Sequence, residues 1–68
     1  MAARHIYQVI PDSGRWSVIK DSAILSKHDD KDLAEEEAWN LALKIISSLV
    51  RVYRLDGSIQ KSVFHSVD

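Results

Sequence analysis

A chain of 68 residues and 7.7 kDa has room for one domain. A domain of that size buries only about 60% of the surface its unfolded form exposes, so its core must be economical. Hydrophobic residues at 46%, charged residues at 28%, two Gly and one Pro exclude a disordered or collagen-like chain. Nine Lys and Arg against ten Asp and Glu leave a net charge of -1, which excludes a strong global field for phosphate backbones. The lack of Cys excludes disulfides, thiolate chemistry and Cys-type zinc sites.

Met1-Ala2-Ala3-Arg4-His5 leads straight into an alternating segment, and no apolar run approaches the roughly 18 residues that a bilayer span needs. A cytoplasmic chain, neither secreted nor inserted in a membrane, is expected. His5 to Ile10 is rich in β-branched and aromatic residues, Pro11-Asp12-Ser13-Gly14 supplies turn chemistry, and Arg15 to Ile19 repeats the strand composition. The two runs predict an antiparallel hairpin with a four-residue loop. Lys20 to Asp30 mixes charge with the short Ile24-Leu25 pair and reads as a loop with room for a short third strand at the sheet edge.

Asp32 and Glu35 form an Asp-x-x-Glu capping box, with Asp30 as a competing cap, and Glu36 and Glu37 suit the first turn of a helix. From Leu33 to Ser48 the residues Ala34, Ala38, Leu41, Ala42, Ile45 and Leu49 recur at helical spacing and predict a stripe that faces the sheet. Trp39 and Leu43 lie one turn apart on the flank of that stripe, and with Ile46 they widen the apolar arc beyond what one sheet face covers. Val50 to Leu55 and Ser58 to Phe64 flank Asp56-Gly57, a strong hairpin signal. A two-residue turn there sets Val52 opposite Lys61 and Val50 opposite Val63. Val50, Val52, Ile59 and Val63 then share the core face, while Arg51, Tyr53, Gln60 and Ser62 form a polar outer face with one aromatic. The expected architecture is α+β: a single-layer antiparallel sheet of two hairpins with one helix packed on one face, order β-β-α-β-β. It forms a single domain over residues 1–68 with an ordered core of about 5–64.

Tyr7-Gln8-Val9-Ile10-Pro11, Gly14-Arg15-Trp16-Ser17-Val18, Glu37-Ala38 on the helix and Asp56-Gly57-Ser58-Ile59 together resemble a small bacterial and phage family. It is catalogued as domain of unknown function 2188, and the similarity runs from Tyr7 to about Phe64. The family pattern is Tyr-His-Val-Val-Pro, Gly-Gly-Trp-x-Val, a Thr-capped helix with an early Glu-Ala, then Asp-Gly-x-Ile. Gln8 stands where the family often has His, Arg15 where it often has Gly, and an Asp where it usually has the Thr cap. The resemblance implies the element order and no activity, because the family has no assigned chemistry.

His5, His28 and His65 include no i, i+4 pair, and the densest ligand cluster, His28-Asp29-Asp30, reads as an acidic helix entry. The serines lack a Gly-x-Ser-x-Gly elbow, Glu35-Glu36-Glu37 sits on an exposed first turn, and two Gly make no phosphate cradle. Neither catalysis nor a cofactor, metal or small-molecule ligand is expected. Trp16, in a strand beside a turn, reads as a packing anchor for its hairpin. The leading expectation is a protein-interaction module that self-associates through the helix flank of Trp39, Leu43 and Ile46, or binds a heterologous protein there. The alternative is a weak nucleic-acid binder whose outer sheet face carries Arg51, Tyr53, Arg15 and Lys61. A small enzyme ranks last.

Overall fold

The computed structural model describes residues 5–44 and 47–65. Its elements are β1 (His5–Asp12), β2 (Arg15–Lys20), β3 (Ala23–His28), α1 (Lys31–Ala42), β4 (Ser48–Tyr53) and β5 (Ile59–His65). The strands form a five-stranded sheet in the order β3-β2-β1-β4-β5, and α1 packs on one face of it. Among the described residues, no helix is long and apolar enough to cross a membrane.

The α+β class is as expected, but the sheet is not a pair of antiparallel hairpins. Three strands precede the helix, and β1 pairs with β4 in parallel from His5↔Ser48 to Val9↔Val52. The reason lies in the third strand. Because β3 is antiparallel to β2, it runs the same way as β1, and α1 then carries the chain back to the end where β1 begins. A strand that starts there beside β1 must run parallel to it, and the His5 amide bonds the Ser47 carbonyl at 3.2 Å at that junction.

Both turns of the first three strands are two residues long, with positive φ at Ser13 (51°) and Gly14 (83°) and at Asp21 (51°) and Ser22 (69°). Two central residues of positive φ match the strand twist, as in type I′ turns. Pro11 and Asp12 therefore belong to β1, in place of the expected four-residue loop, and the ladder closes at Asp12↔Arg15. Pro11 is tolerated because the closing pair of a two-residue hairpin is the hydrogen-bonded one. The absent N–H at the next position points away from β2, on a side where the ladder to β4 has already ended at Val9.

The β4–β5 turn also departs from expectation. Arg54 accepts from the Gly57 amide at 3.0 Å and donates to the Ser58 carbonyl at 2.7 Å, so Leu55-Asp56-Gly57 form a three-residue loop with Gly57 at φ 91°. That slips the register by one, and pairing starts at Tyr53↔Ile59. Gln60 is then left over as a bulge, which restores Val52↔Lys61 and Val50↔Val63 as expected. Ile59 consequently shares the face of Tyr53, not that of Val52, and Gln60 reaches Lys31 of the helix.

Asp30 is the N-cap of α1, its carboxylate accepting from the Asp32 amide at 2.8 Å. The helix ends at Ala42 with Leu43 as C-cap, well short of the expected Ser48. Ile45 and Ile46 lie outside the described residues, and Ser47 has φ 63° before β4 begins. Ala34, Ala38 and Ala42 recur every four residues, are fully buried and bring the helix backbone close to the sheet. They pack with Tyr7, Val9, Val18, Val50 and Val52, while Trp16, Trp39 and Leu41 lie partly buried around them. No fully buried apolar side chain in this layer is larger than Val.

Candidate interaction surface

Side chains alternate across a strand, so the registers assign every strand residue to the helix face or to the opposite one. Tyr7, Val9, Val18, Val50 and Val52 take the helix face. Ile6, Ile10, Ile19, Leu49 and Phe64 take the other, and no second layer among the described residues covers it. Ile6, Leu49 and Phe64 form one row across β1, β4 and β5. The next row reads Ile24, Ile19, Gln8, Arg51 and Ser62 across all five strands. A third joins Lys27, Ser17 and Ile10. Ile24 and Phe64 are about half exposed, at 54% and 49%.

The polar groups of this face are mostly engaged with one another. The Gln8 amide donates to the Tyr53 hydroxyl at 3.1 Å. Arg15 Nε donates to Asp29 at 2.9 Å, and Lys27 pairs with Asp12 at 3.3 Å. The Ser17 hydroxyl also donates to Asp12. The Lys27 ammonium first, and then the Ser17 hydroxyl, hold the Asp12 carboxyl below its ordinary range. Arg51 is the exception: its Nε is buried and has no partner among the described residues. The face thus combines aliphatic rows with paired polar groups and one cation, Arg51, that has no carboxylate partner among the described residues.

The family model described as an uncharacterized protein conserved in bacteria (DUF2188) matches residues 7–63, from β1 well into β5. The chain belongs to this family. No curated protein matches it, and no solved structure does.

In this DUF2188 chain, the residues singled out from sequence fall on three separate surfaces. Trp39 packs against the core, Leu43 is 56% exposed at the helix C-cap, and Ile46 lies outside the described residues. Arg51 and Tyr53 share the uncovered face. Arg15 sits at its far corner with its charge turned to Asp29. Lys61 lies on the helix face, where its ammonium meets Glu35 at 2.8 Å, so it does not join the others. Lys31 stands over the Trp16 ring at 5.0 Å. The expected polar outer face is overturned: Ile6, Ile10, Ile19, Ile24, Leu49, Ile59 and Phe64 occupy it. Their signal was present in the sequence. Ile6-Tyr7, Val9-Ile10, Val18-Ile19 and Leu49-Val50 are adjacent apolar pairs within strands, and a strand apolar at both parities is apolar on both faces.

The histidines do not converge on a ligand set. His28 shares a 2.9 Å hydrogen bond with Ser26, and His5 and His65 flank Ser48 on the helix face. Among the described residues, no three His, Asp or Glu side chains form a metal-binding group.

Proposed function

We propose that the chain is a small protein-interaction module whose contact surface is the uncovered face of the sheet. The observation that carries this reading is the place of the aliphatic side chains of the strands. The helix face holds Tyr7 with Val and Ala, ringed by Trp16, Trp39 and Leu41, whereas Ile6, Ile10, Ile19, Leu49 and Phe64 lie on the opposite face, over which the described residues place no layer. A sheet with one solvated face ordinarily alternates apolar and polar residues, and a contiguous apolar patch on a folded chain marks a docking surface.

Less supports the other surfaces. On the helix flank Trp39 is already packed on the core, which leaves Leu43 as the exposed apolar residue there among those described. For nucleic acid, Arg15 and Lys27 are paired with carboxylates and Lys61 faces the helix, which leaves Arg51 as the cation without a carboxylate on this side of the sheet among the described residues.

The test is side-chain footprinting in cells that express the chain, compared with the purified chain at high dilution. Ile24, Leu49 and Phe64 are expected to be protected in the cell, while Leu55, 79% exposed at the β4–β5 turn, serves as an internal reference. Equal labelling of the face in both settings would overturn the reading.

A further inference from the structure

The contact surface proposed above limits what can cover it. Five strands at about 4.8 Å spacing make a face about 24 Å wide, and six residues at about 3.3 Å make it about 20 Å long. An α-helix, about 10 Å across, covers two of the five strands and leaves the rest wet. An equal sheet stacked about 10 Å away covers all of them. The projected area is about 500 Å² per copy and about 1,000 Å² for a pair, the lower bound for a specific interface and in the range of weak, concentration-dependent association. The surface of matching width and apolarity that the chain itself supplies is a second copy of this face.

Charge selects the orientation. Among the described residues, Arg51 has no carboxylate partner, and Asp21, an exposed residue of the β2–β3 turn, enters no ion pair. Asp21 opens the turn directly after Lys20, the last residue of β2, which pairs with Tyr7, so it lies just beyond that end of the β1–β2 ladder. A two-fold axis along β1 exchanges the β2 side of one copy with the β4 side of the other. It sets Arg51 against the second copy's Ile19, two residues before its Asp21 and within the reach of an extended arginine side chain. An axis across the strands through the row of Gln8 and Arg51, near the middle of the face, instead sets Arg51 against Arg51, where like charges repel.

Resting on the reading of this face as a contact surface, we propose that a second copy of the chain covers it, sheet against sheet, about a two-fold axis along β1. Arg51 of each copy then meets Asp21 of the other. The helices lie on the two outer surfaces of the pair.

Sedimentation velocity over a micromolar-to-millimolar series tests this. The wild-type chain is expected at twice its 7.7 kDa mass at the upper end. Leu49→Lys and, as a second disruption at the half-exposed margin of the sheet, Ile24→Lys are expected to be folded monomers by circular dichroism throughout. Leu43→Glu, on the helix flank, leaves the dimer intact. Arg51→Asp and Asp21→Arg each weaken it by tenfold or more, and the double exchange restores it. A wild type that stays monomeric overturns the pairing, as does a dimer that Leu43→Glu splits and Leu49→Lys does not. A charge exchange without rescue overturns the axis. If the chain is monomeric while the face is protected in cells, the second copy fails as occupant and the contact surface stands with a heterologous partner.

Discussion

Leu49 and Val50 are neighbours on β4 that point to opposite sides of the sheet, and the structure predicts unequal costs for truncating them. Val50 is fully buried beneath α1, against Ala and Val side chains that cannot collapse far. Val50→Ala removes two methyl groups at about 0.8 kcal/mol each, about 1.6 kcal/mol of transfer free energy. The cavity left behind raises the cost to about 2–3 kcal/mol. Leu49 is larger but only half-buried in the isolated chain, so Leu49→Ala is expected to cost about 1 kcal/mol when the protein is dilute. For a domain of this size, 1 kcal/mol moves the melting temperature by about 4–8 °C, which separates the variants by roughly 10 °C. Urea and thermal unfolding followed by circular dichroism at low micromolar concentration measures the difference. A Leu49→Ala cost equal to or above that of Val50→Ala under those conditions would refute the assignment of the two faces.

Two further outcomes follow from local chemistry. Gly57 holds φ 91° in the three-residue loop, with open space around its Cα, so Gly57→Val is destabilising by about 1 kcal/mol or more through backbone strain alone; a neutral effect in urea unfolding would contradict the loop geometry. Asp12 is held below its ordinary value near 3.8 by Lys27 and Ser17, so its stabilising effect is fully present above that pH and is lost as pH falls through the lower folded-state value. Asp12→Asn should therefore flatten the acid limb of the stability–pH curve below about pH 4, and an unchanged limb would show that the Lys27 pair does not persist in solution.

What was legible in the sequence was local. The first hairpin, the Asp30 or Asp32 helix entry, and the pairings of Val52 with Lys61 and Val50 with Val63 all rest on interactions within a few residues of a turn or cap. The third strand was hidden by two features. Its turn, Asp21-Ser22, adopts positive φ without Gly, and the bulge between Ile24 and Ser26 places two apolar residues side by side, which breaks the period-two pattern. The parallel contact of β1 with β4 is a pairing across some forty residues that no local pattern encodes. Leu49 shows the cost most plainly. Its helical spacing from Ala42 and Ile45 placed it in the stripe over the sheet, yet the helix stops at Ala42 and Leu49 emerges in β4 on the far face. The uncovered apolar face was missed because each strand was assigned a core side and the remainder was taken as solvated, although the adjacent apolar pairs spoke against it.

The two halves of this picture bear on each other through mass action. A layer of Val, Ala and one Tyr beneath a 12-residue helix is a small core, and a domain of this length is expected to hold only about 3–10 kcal/mol of stability. A second copy that binds the folded state and not the unfolded one adds stability that grows with the logarithm of concentration. On the proposed pairing, Leu49 passes from a half-buried residue of the dilute chain to a buried residue of the dimer. Its truncation cost then climbs with concentration, while that of Val50, sealed under α1 in either state, stays level. The concentration at which the two costs meet reports the affinity of the face. Costs that hold a constant gap from micromolar to millimolar protein would mean that nothing covers Leu49 in the pure protein.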